Sequence, residues 1–177
     1  MQIKKTSATA HNLLVDKIDF RRGLARMWVQ DPEEITFPND GSRWPMQFVA
    51  NPVGALYVVE SNNPLWWDLV NHRFVVPYSG VYSIEFDTLV WFDGTPNPDQ
   101  TTVYAEILKN GTSIKSNSLY PDMTKSGPRQ GLAVSVPSVL LTAGDTIQAA
   151  IKKDASTYVL LTQDGGSNLH IQQITNS

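Results

Sequence analysis

Residues 74–92, FVVPYSGVYSIEFDTLVWF, set the narrowest limit on what this chain can fold into. A short apolar run stops at Pro77, and after a Tyr-Ser-Gly turn a strict alternation begins. Tyr82, Ile84 and Phe86 share one side, and Ser83, Glu85 and Asp87 share the other. A period of two means a strand with one face buried and one face wet. The apolar face can only be core. The acidic face has three possible neighbours: water, an ion or another copy of the chain.

The rest of the second half repeats this grammar of short strands and turns. MQFVA and GALYVVE precede a loop, SNNPLWWDLVNH, and RFVV leads into the long strand from Gly80. After a Pro-rich loop, Val103, Ala105 and Ile107 alternate, and Asn110-Gly111 is a strong hairpin signal. TSIKSNSLY returns from that turn. LAVSVPSVLLT and DTIQAAIKK flank the Ala143-Gly144-Asp145 turn, and STYVLLTQ and NLHIQQI close the chain. Pro137 inside a strand-like run predicts an edge position or a break. Gly80 and Gly144 precede strands, where a tight turn calls for positive φ. About ten strands without a convincing helix predict an antiparallel sandwich or barrel.

Residues 1–45 have a different character. HNLLVDKIDFRRGLARMWV reads either as a short helix ending near Gly23 or as two extended pieces. DPEEITFPNDGSRWP, with three prolines and an Asn-Asp-Gly turn, reads as a connector. The expected division is therefore an N-terminal arm, residues 1–45, and a β domain, residues 46–177. Charge divides in a related way. Residues 1–30 hold six basic groups against two acidic ones, a balance of +4, while the rest hold eight against fifteen, or −7. A basic start on an acidic body points to docking on something negative, with Lys4, Lys5, Arg21, Arg22 and Arg26 as the anchoring candidates; the plainer alternative is a loose, solubilising tail. Nucleic acid fits poorly, because no aromatics interleave the basic residues and the body would be repelled.

Several chemistries have no footing in the residues. The chain has no Cys, which removes disulfides, thiolate zinc and a cysteine nucleophile. No apolar segment follows the first lysines, so no secretory signal is expected. No apolar run nears the roughly 18 residues of a membrane span. Phosphate-cradling loops, nucleophile elbows and His-Glu-x-x-His motifs are missing. His11, His72 and His170 are scattered singly and read as structural. Glu85 and Asp87 lie roughly 7 Å apart on one strand face, a spacing that chance supplies often. No catalytic residue is expected, and the chain does not read as an enzyme. Trp66 and Trp67 are adjacent, so they point opposite ways on an extended segment. One is expected in the core; the other either packs within the molecule or trimer as well, the favoured reading, or is a candidate to stack on a ligand.

The order of these pieces resembles the C1q/tumour-necrosis-factor superfamily of jelly rolls. NHRFVVPYSGVYSIEF is similar to that family's signature, a Phe, a Pro three residues on, then a Gly-aliphatic-Tyr strand. ILKNG at 107–111 and VSVPSVLLTAGDTIQAAI at 134–151 are similar to two of its hairpins, and NLHIQQI stands where its last strand does. The matches run in order over residues 46–174. The resemblance implies an antiparallel jelly-roll β-sandwich and a homotrimer packed about a threefold axis through one sheet. It places the non-core face of the strand after Gly80 in that contact, where Ser83, Glu85 and Asp87 depart from the family's aromatic or aliphatic residues. Converging copies of Glu85 and Asp87 would repel unless protonated, answered by a neighbour's Lys or Arg, or bound to a cation, for which calcium fits best. The alternative is that the face is solvated.

A jelly roll without signal, cysteine or collagen-like stalk looks like a bacteriophage structural protein assembled in the host cytoplasm. The expectation is a trimeric virion surface protein, a capsid decoration or head-spike protein, whose first 45 residues fasten it to the major capsid protein or another virion component. The alternative is a receptor-binding module of a tail fibre, reading host glycan or protein through loops 61–72, 93–100 and 121–131, with Trp66 and Trp67 as its ligand candidates.

Overall fold

The alternation at 82–87 continues through the whole of residues 80–92, with Tyr82, Ile84, Phe86 and Val90 fully buried and Glu85 and Asp87 exposed. The computed structural model describes residues 25–31, 35–48, 58–61, 66–94, 101–122, 124, 127, 129–162 and 166–176. Their strands in chain order are β1 (Arg26–Asp31), β2 (Trp44–Pro45), β3 (Val58–Ser61), β4 (Trp67–Asp68), β5 (Arg73–Val75) and β6 (Gly80–Phe92). They continue as β7 (Val103–Lys109), β8 (Thr112–Leu119), β9 (Gln130–Leu141), β10 (Thr146–Lys153), β11 (Leu160–Thr162) and β12 (Ser167–Asn176). All pairings are antiparallel, and the chain is an all-β jelly-roll sandwich.

β6 organises the first sheet. Its residues Gly80–Asp87 pair with β12 and its residues Gly80–Val90 with β9, so these two strands take opposite edges. Val90 pairs with both Gln130 of β9 and Thr162 of β11, which puts β11 beside β12 on the same edge. The sheet continues from β12 to β1 and then β3. β10 organises the second sheet, with β7 and then β8 on one edge. Its other edge takes β5 at Thr146 and Ile147 and β2 at Ala150 and Ile151. β4 extends β5.

The two inner faces enclose one core. Tyr82, Ile84 and Phe86 meet Leu169 and Ile171 from their own sheet and Ile107, Ile147 and Phe74 from the other. Fully burying one such side chain stabilises the fold by roughly 1.5–3 kcal/mol. Tyr82 places its ring between the sheets, 6.5 Å from the Phe74 ring, and its hydroxyl donates to Tyr78 O at 2.7 Å. Burial pushes that phenol up to about 12. Pro137 lies in β9, whose only ladder among the described residues is with β6. Pro137 and Ser138 face Ser83 across a bulge, so the missing donor falls at an edge, as the sequence predicts.

Three expectations change. Residues 26–31, which follow the short helix read as ending near Gly23 and run into the connector, are a strand paired across almost the full chain, with Met27 opposite Ile171. The segment read as a connector is woven into the sandwich. Phe37 and Met46 are buried, Thr36 bridges to Leu161, and Met46 N–H donates to Ala149 O at 2.9 Å. No break in the structure falls between residues 45 and 46, and the sandwich includes residues from Ala25 onward. Gly80, finally, is not among the glycines with positive φ, whereas Gly144 is, at 91°. Gly80 answers a different need, because a Cβ there would sit 2.2 Å from Thr175 O.

Candidate functional site

The outward face of the first sheet carries the acidic pair. Register sets Glu85 between His170 of β12 and Ser135 of β9, and Asp87 between Asn168 and Ala133. Asn168 Nδ2 donates to Asp87 Oδ2 at 3.0 Å. Gly131, Ala133 and Ser135 keep the β9 side of this face low, so it forms a shallow polar shelf. Among the described residues, no three His, Cys, Asp or Glu side chains group closely enough to hold a metal ion. Glu85 and Asp87 therefore supply oxygen ligands from one strand of one chain only.

Beside the shelf the sandwich is open. β8 is exposed along nearly its whole length, including Lys115 and Asn117, although these residues lie opposite the fully buried Ile107 and Ala105. The middle of β8 is thus left exposed, while Leu119 at its end packs against the core. One tie crosses the gap, from Asn117 Nδ2 to Ala133 O of β9 at 2.7 Å. An uncovered strand of this kind is a natural place for another chain to pack.

A built loop and two grooves lie around the β4–β5 turn and the β2 edge of the second sheet. Asp68 accepts from Asn71 Nδ2 at 2.8 Å, from the Asn71 and Val70 N–H groups at 3.1 Å and from Arg73 Nε at 3.0 Å. Asn71's amide and N–H, then Arg73 and the Val70 N–H, hold the Asp68 carboxyl at about 2 against the opposing effect of burial. This wheel of bonds forces the β4–β5 turn tight and leaves His72 at φ 50°, in the left-handed region that non-glycine residues adopt at a cost. His72 Nδ1 is buried without a hydrogen-bond partner among the described residues. Gln148 Nε2 donates to Asn71 O at 2.8 Å and clamps the turn to β10. A groove of about 330 Å³ lies between this turn and residues Pro45 and Gln47. A second, of about 520 Å³, lies between residues 35–39 and Trp44, and Gln47 borders both.

Both tryptophans of the adjacent pair pack within the chain. Trp67 is 4 % exposed and meets the Phe48 ring edge-on at 5.7 Å. Trp66 is partly buried and packs edge-on against Phe74 and Tyr78, at 6.5 and 5.8 Å. Among the described residues the exposed indole is Trp44, 41 % accessible, which sequence reasoning missed. Its signal was weak: Arg43-Trp44-Pro45 sits in a Pro-rich segment with no periodicity to say which way a ring points. Arg43 itself is committed to Glu106, with Nε to Oε2 at 2.5 Å and a second contact at 3.3 Å.

A further polar cluster is structural. Lys153 is fully buried at the end of β10, where its ammonium donates to Asn39 Oδ1 at 2.7 Å, Ser156 O at 3.0 Å and Tyr158 O. Burial lowers its pKa, and its donors pin the loop around Asn39 to the loop around Ser156. Of the anchoring candidates, Lys4, Lys5, Arg21 and Arg22 lie outside the described residues, and Arg26 opens β1 opposite Gln172. No helix among the described residues is long and apolar enough to cross a membrane. In comparison with known proteins, no family model matches the chain and no curated protein matches it.

Proposed function

We propose that this chain is a non-enzymatic, homotrimeric structural protein of a bacteriophage virion, a capsid decoration or head-spike protein of the C1q/tumour-necrosis-factor kind. The observation that carries the reading is the conjunction, on one jelly roll, of an uncovered shelf bearing Glu85 and Asp87 with an uncovered edge bearing Lys115. A second copy offering its β8 edge to the shelf would bring Lys115 toward the two carboxylates. Three such contacts close a ring, and a ring leaves no edge free. The shelf would then need no greasy seam, because the neighbour's lysine compensates the acids. Where copies bring Glu85 and Asp87 together, calcium is the ion their oxygens would take.

The basic residues upstream of the sandwich are the proposed fastening. Each exposed ion pair contributes only ~0–1 kcal/mol, so firmness comes from three arms acting at once on an acidic shell. Because β1 begins at Arg26 and Ala25 N–H is held by Gln173 Oε1 at 3.0 Å, the test must leave these residues in place. A chain lacking residues 1–22 is expected to give a light-scattering mass of three subunits, each slightly below 19.7 kDa, and to lose co-sedimentation with capsids that the full chain retains. A mass matching one subunit for the full chain, or full capsid occupancy by the shortened one, overturns the reading.

A further inference from the structure

We infer that the groove beside Trp44, with the neighbouring groove that shares Gln47 as a border, forms a binding site for a neutral oligosaccharide, with Trp44 as its stacking platform. Four observations converge on this chemistry, and none depends on where the protein sits in a particle.

The first is the ring. Trp44 is held at β2 by pairing with Ile151 of β10, yet 41 % of its surface stays exposed. An indole fixed by the backbone and left open offers a flat apolar face that is already ordered. The C–H face of a pyranose matches such a face, and ordering costs little on binding.

The second is the polar lining. Beside Trp44 the larger groove presents Thr36, Asn39 and Gln47 among Ile35, Phe37 and Pro38. The smaller groove adds Asn71, His72, Arg73 and Gln148. Asn39 Oδ1 is taken by Lys153, Asn71 Nδ2 by Asp68 and Gln148 Nε2 by Asn71 O, so among the described lining residues the Gln47 amide is the one that offers both a donor and an acceptor to adjacent sugar hydroxyls. A few convergent polar groups within apolar walls are the usual make-up of a small-molecule site, and volumes of about 520 and 330 Å³ fall in the customary range of about 300–1,000 Å³.

The third is charge. Among the described residues, no ionisable side chain lines the larger groove. In the smaller one Arg73 is matched by Asp68 at 3.0 Å. The site therefore favours a neutral ligand over a sialylated or phosphorylated one.

The fourth is construction. The Asp68-centred turn holds His72 at φ 50°, and the buried His72 Nδ1 has no partner among the described residues. Strain kept in place by four hydrogen bonds, next to an unanswered polar atom, marks a turn shaped for more than connecting two strands.

The test uses the full chain labelled with ¹⁵N and four neutral trisaccharides, built of glucose, galactose, mannose and N-acetylglucosamine, with a sialylated trisaccharide as the charged comparator. At least one neutral sugar is expected to shift the Trp44 indole N–H and the Gln47 amide saturably at millimolar concentration. Trp44→Ala should weaken that binding at least tenfold, and Trp44→Phe should recover part of it. Gln47→Ala should weaken it severalfold, which separates a groove from a lone sticky ring. Far-ultraviolet circular dichroism of each variant confirms that the fold is kept. Silence with all four neutral sugars, undiminished binding by Trp44→Ala, or preference for the sialylated sugar overturns the proposal.

Discussion

Gly80 stands where β6 begins, opposite Leu141 on one side and Asn176 on the other. A Cβ there would lie 2.2 Å from Thr175 O and 2.6 Å from Gln173 Nε2, and the first of these is backbone that cannot swing away. Gly80→Ala is therefore expected to cost about 3 kcal/mol, like an overpacked core. The check is urea unfolding, with a lower midpoint and an unchanged slope. Gly144 makes the contrast. Its φ of 91° strains an alanine, but nothing lies within 4 Å, so Gly144→Ala should cost only about 1 kcal/mol. Equal losses at the two sites would show that close approach is not what Gly80 provides. The sequence marks both residues as needed glycines, but it cannot separate a turn from a contact made with a strand 95 positions away. Trp44 illustrates the same limit, since its exposure depends on the pairing of β2 with β10 and on nothing local.

Two hairpin ends are knotted together by polar side chains. Asn110, at φ 51° in the β7–β8 turn, donates from Nδ2 to Asp145 Oδ1 at 2.8 Å and accepts the Thr146 N–H at 2.8 Å. Asp145, in the β9–β10 turn, also takes Lys109 Nζ at 2.9 Å and the Thr142 N–H at 2.8 Å. Burial pushes the Asp145 carboxyl up, but Lys109, the Thr142 N–H and Asn110 together outweigh it and bring it to about 2. A carboxyl depressed from 3.8 to about 2 binds its proton less readily when folded. Its contribution is thus complete above about pH 4 and is lost as pH falls toward 2. After screening at this surface position the effect is about 1 kcal/mol. Asp145→Asn should lie below wild type by that amount at pH 6 and converge with it at pH 2, in urea unfolding at each pH; parallel curves would remove Asp145 from the knot. Both turns were legible, because Asn-Gly and Gly-Asp are local signals, and so was β6, because its period is complete within the strand. β1 and the segment around Phe37 were not. Their places are set by partners more than 120 residues away, and neither Arg26–Asp31 nor residues 35–48 carries an alternation long enough to announce a strand.

At the level of the whole molecule, the polar shelf and the open edge pose a single electrostatic question. Glu85 and Asp87 are exposed on β6, and Lys115 is exposed on β8, in the other sheet. Neither shelf carboxylate forms an ion pair with a described side chain of its own chain. In the proposed trimer each shelf would meet a neighbour's edge, so a reversed charge is felt three times. Glu85→Lys turns each attraction into a repulsion of about 1 kcal/mol, roughly 3 kcal/mol per trimer; that is about a hundredfold in the trimer dissociation constant and, since this constant is a concentration squared, about tenfold in the concentration at which the trimer dissociates. Lys115→Glu alone should do similar harm. The two together should restore assembly, since they exchange the charges across the contact while leaving each chain's fold untouched. Light-scattering mass on serial dilution reads all three, and added salt should narrow their differences as exposed charges are screened. If Glu85→Lys leaves the dilution midpoint where it was, the shelf faces solvent and the subunits meet elsewhere. If the single changes weaken the trimer and the double change does not rescue it, Lys115 is not the neighbour's answer, and calcium becomes the compensation to test, by chelation and readdition on the wild-type chain.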